Sequence, residues 1–167
     1  MLETMHHAGE VASTCERAAR HMGMPAAKAR RVALAGELHD IGKIGVPPYV
    51  LREPEPLDPH EWGLVRDHPA VGERLLRAAG VADVASWVGA HHERFDGTGY
   101  PRGLRGDQIP VEARIVAVAD AFDAMVSDRP YRPALGLGAA IAELRAGSGT
   151  QFDPDVVDAF LDSLALA

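Results

Sequence analysis

The stretch from Val111 to Ser127 is the most apolar in the chain, with Ile115, Val116, Val118, Ala119, Phe122 and Met125, yet Asp120 and Asp123 sit inside it. The periodicity predicts a helix over 111–127 with both carboxylates on one face, three residues apart. An isolated charge buried in such a helix costs several kcal/mol, so each carboxylate must be paired or must bind a metal ion. A fold for this chain has to bring partners to that face.

Candidate partners are spread along the sequence. Leu38-His39-Asp40-Ile41-Gly42-Lys43 places a histidine beside an aspartate at the end of an apolar run, with Lys43 three residues after Asp40 and over the same face. Neighbouring side chains on a helix point about 100° apart, so His39 and Asp40 are not both core residues, but both can grip a pair of metal ions against that face. Glu3 and His7, four residues apart, share a face of a helix predicted from Leu2 to about Met22, and Glu3 lies where a helix end frays. A second helix is expected over 26–41, ended by Gly42, Gly45 and the Pro47-Pro48 pair. A third starts at Asp58, a suitable N-cap for Pro59, and reaches towards His68, where Pro69 imposes a kink or a restart. An apolar helix over 81–92 ends in His91 and His92. The glycine- and proline-rich stretch that follows, through Gly99-Tyr100-Pro101 to Pro110, is a long loop of the kind usually reserved for function. Arg129 and Arg132 flank Pro130-Tyr131, and helices over 137–146 and 155–164 read as packing. No stretch alternates like a strand for any convincing length, and no repeat or low-complexity linker divides the chain, so the expectation is an all-α fold in a single domain over 1–167.

Composition narrows the function classes. The 167 residues are 47% hydrophobic and 25% charged, as in ordinary globular proteins, and suffice for one sizeable core. A net charge of -7 argues against a protein that holds duplex nucleic acid through spread phosphate contacts, although a small phosphorylated ligand needs only a local basic patch. The single Cys15 excludes an internal disulfide, and no apolar run approaches the ~20 residues of a membrane span, so the expected location is cytoplasmic.

Taken together, Glu3, His7, His39, Asp40, His68, His91, His92 and Asp120 form a nitrogen and oxygen donor set without thiolate, suited to Mn, Fe or Zn rather than to a structural zinc. An aspartate beside a histidine can bridge two ions roughly 3.5–4 Å apart, the spacing with which phosphatases hold a hydroxide. With these residues in view, the sequence resembles the HD superfamily of metal-dependent phosphohydrolases. His91-His92-Glu93-Arg94, Asp96-Gly97-Thr98-Gly99-Tyr100-Pro101, Asp120-Ala121-Phe122-Asp123-Ala124-Met125, Arg129-Pro130-Tyr131-Arg132 and Gly149-Thr150-Gln151-Phe152-Asp153-Pro154 resemble its HD-GYP branch, whose members hydrolyse the bacterial second messenger cyclic di-GMP.

The resemblance spans Glu3 to about Phe160 and implies a compact HD-domain bundle of about seven helices with a long Gly99-Tyr100-Pro101 loop. It implies two or three divalent ions, iron or manganese, on His7, His39, Asp40, His68, His91, His92 and Asp120, with Glu3 added for a third ion and Asp40 as the bridge. It implies that Lys43 meets the scissile phosphate with Asp123 as its ion-pair partner, making Asp40, Lys43 and Asp123 the catalytic group. Arg129 and Arg132 would hold ligand phosphates, and Gly99, Tyr100 and Pro101 would help bind the substrate. The implied reaction is attack of a metal-activated hydroxide on one phosphodiester, giving the linear dinucleotide and, after a second round, GMP. Implied partners are cyclic di-GMP, diguanylate cyclase domains, and a sensory or receiver domain preceding the chain.

The sequence departs from the family pattern in two places. Pro48, Glu53-Pro54 and Glu55 stand where an acidic residue and a Lys-Pro-Gly turn are usual, which sets negative charge near the cleft mouth, and Gly9 and Glu10 replace a commonly basic pair. Two rival readings are a phosphohydrolase of the wider superfamily acting on another nucleotide, and a non-catalytic module that binds a cyclic dinucleotide or a partner. The intact Gly99-Tyr100-Pro101 and arginine pair speak against the first, and the complete donor set against the second.

Overall fold

In the computed structural model, residues 2–52, 56–128 and 133–165 are described, with side chains described from residue 7 onwards except at 52. These residues form α1 (Leu2–His21), α2 (Ala26–Leu38), α3 (Pro59–Arg66), α4 (His68–Ala78), α5 (Ala82–Val88), α6 (Val111–Val126), α7 (Leu137–Gly147) and α8 (Pro154–Ala165). Short 3₁₀ turns occupy Ile41–Gly45, Val50–Arg52 and Gly106–Gln108, and an isolated bridge between Ser148 and Phe152 is the only strand-like pairing among the described residues. The all-α expectation holds. None of the described helices is long and apolar enough to cross a membrane.

α6 is the axis. It packs on α1, α2, α5, α7 and α8, and its Ala113, Ile115, Val116, Val118 and Ala119 are fully buried. Each such branched side chain contributes about 1.5–3 kcal/mol relative to exposure, which is why the most apolar stretch takes the centre. At the far side of this core Phe122 meets Phe160 of α8 edge to face, with centroids 5.2 Å apart.

Local signals explain several boundaries. Asp58 accepts hydrogen bonds from the backbone N–H groups of His60 and Glu61, and the Glu61 carboxylate accepts from the Asp58 N–H in return, so α3 starts where the N-cap was expected. The restart at Pro69 is also present, with Asp67 joining α3 to α4. Two helices end earlier than the apolar pattern suggests. α2 stops at Leu38 rather than near Ile41, and α5 stops at Val88 rather than at His92. In the first case the chain turns to seat Gly42 against α4, where a Cβ on Gly42 would lie 1.9 Å from the His68 carbonyl oxygen and 2.6 Å from the Gly72 nitrogen. In the second the backbone tightens, with the N–H groups of Ala90 and Glu93 bonding three residues back to Trp87 and Ala90.

Gly42 therefore holds the turn against α4, and both contacts are immovable backbone. Gly42→Ala is expected to destabilise the protein by about 1–3 kcal/mol or more in urea unfolding, because the backbone must yield. Gly9→Ala, on an exposed face of α1 with nothing within 4 Å, is expected to gain up to about 1 kcal/mol in the same measurement.

Candidate metal centre

The turn that follows α2 brings His39 and Asp40 together with side chains from α1, α4, α6 and the turn after α5. His39, His68 and His91 are each 1% exposed. Each donates its Nδ1–H to a carbonyl three residues back: His39 to Gly36 at 2.7 Å, His68 to Val65 at 2.7 Å and His91 to Val88 at 2.6 Å. A carbonyl can only accept, so the proton is assigned to Nδ1 and the lone pair to Nε2.

Those lone pairs converge. His39 Nε2 lies 3.6 Å from Asp120 Oδ1 and 3.6 Å from Asp40 Oδ2, and His7 Nε2 lies 3.5 Å from Asp120 Oδ1. On the other side His68 Nε2 is 3.5 Å from Asp40 Oδ1 and 3.4 Å from His91 Nε2, and the His92 ring packs on both His68 and His91. Two donor groups result, His7, His39 and Asp40 in one and His68, His91 and His92 in the other, the atoms within each group lying within 4.8 Å of one another. The Asp40 carboxylate stands between them with one oxygen towards each. Neutral imidazole nitrogens and carboxylates at these separations, without thiolate, fit two divalent ions.

Electrostatics favour the same use. Burial holds His68 below its ordinary value against the pull of Asp40, holds His91 well below it, and brings His92 down to about 4. Asp40 is held below the usual carboxylate value: burial would raise it, but His39 and Lys43 outweigh that. His7 runs the other way, raised chiefly by its hydrogen bond to Asp123.

Asp123 and Lys43 are where the structure corrects the sequence reading. Asp123, 6% exposed, accepts from His7 Nδ1 and, at 3.3 Å, from the Ser127 hydroxyl. Lys43 pairs with Asp40, its Nζ 2.6 Å from Oδ2, and not with Asp123. The reason is the early end of α2: the 3₁₀ turn folds Lys43 back over Asp40, while Asp123 lies one helical turn beyond Asp120 and faces α1. Arg129 and Arg132 lie outside the described residues, as do Glu53, Pro54, Glu55 and the Glu3 side chain, although the Glu3 backbone belongs to α1.

The loop carrying Gly99-Tyr100-Pro101 is anchored by a residue the sequence reading did not single out. Glu93, 4% exposed, accepts from the backbone N–H groups of Arg102 at 2.7 Å and Leu104 at 3.0 Å. Gly99 has no room for a side chain, since a Cβ would lie 2.2 Å from the Arg94 nitrogen. The Tyr100 ring is thereby stacked on His92, 4.9 Å between centroids at 29°, beside the donor cluster. The available signal was the acidic residue directly after two histidines, which has to be satisfied wherever the loop buries it.

A family model described as HD domain matches residues 3–156. A cyclic di-GMP phosphodiesterase of Thermotoga maritima is 42% identical over 163 residues, which are 96% of this chain and 44% of that protein. The cyclic di-GMP phosphodiesterase response regulator RpfG of Xanthomonas campestris is 46% identical over 166 residues, 96% of this chain and 42% of that protein. The chain thus spans less than half the length of these two relatives. Among solved structures, an HDG"Y"P protein from Bdellovibrio bacteriovorus has the same fold, with a TM-score of 0.76 at 23% identity over 97% of this chain and 52% of that one.

Two expectations follow from the geometry. Between pH 6.5 and about 4 the unfolded chain takes up protons that folded His68, His91 and His92 refuse, so stability falls as pH drops through that window. His7 opposes the trend, one group against three. Urea midpoints of chelator-treated protein should therefore be lower near pH 5 than near pH 7.5. Asp123→Ala removes the carboxylate that orients His7, and competition with a chelator should show one ion equivalent held about 10–100-fold more weakly.

Proposed function

Because the chain belongs to the HD domain family, we propose that it is a metal-dependent phosphodiesterase which hydrolyses cyclic di-GMP to the linear dinucleotide, with GMP as the product of a second round. The observation that carries this reading is the Asp40 carboxylate set between two imidazole groups, Oδ1 3.5 Å from His68 Nε2 and Oδ2 3.6 Å from His39 Nε2. A carboxylate so placed suits a bridge between two cations.

His7, His39, Asp40 and Asp120 would hold one ion and His68, His91, His92 and Asp40 the other, with Glu3 available to a third. The nitrogen and oxygen donor set suits Mn, Fe or Zn, and the family resemblance favours iron or manganese among them. Such ions supply Lewis acidity at a phosphoryl oxygen and a nucleophile usable at neutral pH. The remaining work falls to the chain itself. Asp123 positions His7 through its hydrogen bond. Lys43, with a side chain 39% exposed, offers a cation to the phosphoryl oxygens from its place beside Asp40, where charge develops as the bond breaks. Arg129 and Arg132 would clamp ligand phosphates, a task that suits the forked guanidinium better than a point charge. Tyr100, held by the loop between Gly99 and Pro101 and stacked on His92, would help bind the substrate. The departing ribose oxygen would take its proton from solvent or a nearby acid.

The test is metal analysis of anaerobically purified protein together with identification of the product from cyclic di-GMP. Asp40→Ala should lower metal content and reduce turnover on the order of 10²-fold or more. Full turnover by that variant would contradict the reading.

A further inference from the structure

Next to the donor cluster, and sharing His92 with it, opens a cleft of about 570 Å³ lined by Trp62, Arg66, Arg94, Thr98 and Tyr100. Its size lies within the roughly 300–1,000 Å³ of small-ligand sites. Trp62 and Arg66 are four residues apart, on one face of α3. That helix has a complete capping box and no buried residue, so it contributes little to the core and instead holds these two side chains at the surface. Trp62 is 50% exposed, a large area of aromatic ring to leave in water.

The two arginines of the cleft differ. Arg94 is committed, its Nη2 3.0 Å from Asp96 and its Nε 2.9 Å from the Thr98 hydroxyl. Arg66 makes no ion pair among the described residues; its guanidinium carbon lies over the Tyr100 ring, 4.7 Å from the centroid. A stack therefore runs from Arg66 through Tyr100 to His92 at the donor cluster. The cleft is therefore within reach of a base attached to a phosphate held at that cluster.

Resting on the phosphodiesterase reading above, we infer that the cleft takes one purine base of the cyclic dinucleotide and that Arg66 is the residue that selects guanine. Guanine offers two acceptors, O6 and N7, to the guanidinium fork, whereas adenine offers N7 beside an amino donor that a guanidinium repels. Trp62 supplies a stacking face that tolerates either base, since every base has a π-face. Discrimination therefore falls to Arg66 and not to the ring beside it.

The experiment compares metal-loaded wild type, Arg66→Ala and Arg66→Lys with cyclic di-GMP and cyclic di-AMP as substrates. Wild type should favour cyclic di-GMP in kcat/KM, and Arg66→Ala should reduce that preference about tenfold, mainly through KM. Arg66→Lys should not restore it, because an ammonium cannot fork. Binding without turnover is read from tryptophan fluorescence, where Trp62 responds and the second tryptophan, Trp87, is buried. GMP should quench at lower concentration than AMP in wild type and not in Arg66→Ala. Equal losses on both substrates would make Arg66 a phosphate contact and overturn the inference, as would an unchanged preference or a wild type without one. If wild type hydrolyses neither dinucleotide, the phosphodiesterase reading itself fails and this inference falls with it; turnover of cyclic di-GMP with preference intact in Arg66→Ala sinks the inference alone.

Discussion

A helix leaves its last carbonyls without intrahelical partners, and three histidines of this protein answer that need. Gly36 in α2, Val65 in α3 and Val88 in α5 each lie in the last turn of a helix, and each carbonyl accepts the Nδ1–H of a histidine three residues on. The same bond that satisfies the helix end commits the imidazole proton, leaving Nε2 as a lone-pair donor aimed inwards. Helix termination and ligand preparation are one interaction. The rest of the site depends on it, because rings free to rotate or to change tautomer would not present several nitrogens to one place.

Around that device the fold supplies charge in graded amounts. Burial keeps His68, His91 and His92 neutral, and only neutral imidazole can ligate. Asp40 stays ionised against burial because His39 and Lys43 face it. His7, on the more open side, gives its Nδ1–H to a carboxylate where His39, His68 and His91 give theirs to carbonyls, which makes it the more basic donor. The two groups therefore differ in their charged neighbours: the two aspartates of α6 face His7, and Asp120 also faces His39.

The loop after His92 belongs to the same construction. Glu93 is buried one residue beyond a donor histidine and holds the N–H groups of Arg102 and Leu104, so the position of Tyr100 is tied to the backbone that positions His91 and His92. Close packing at Gly99 against Arg94 leaves the loop little freedom.

Much of this was legible in one dimension. The three- and four-residue recurrence of apolar positions pointed to α1, α2 and α6, the Asp58-Pro59 pair gave α3 its start, Pro69 marked the restart at α4, and two aspartates in the most apolar stretch announced that partners or metal ions had to meet them. Such features are local: they follow from dihedral preferences, helical period and the cost of a buried charge, which a dozen residues suffice to express. The early ends of α2 and α5 were not legible, because the apolar pattern runs on past the point where an imidazole takes the last carbonyl and where Gly42 must seat against α4. Nor was the pairing of His7 with Asp123, 116 positions apart, which takes up the carboxylate that the resemblance had assigned to Lys43. Sequence determined which donors and charges the chain owns and which helices carry them; tertiary packing alone decided their distances, and distance is what selects a partner among groups of equal chemistry.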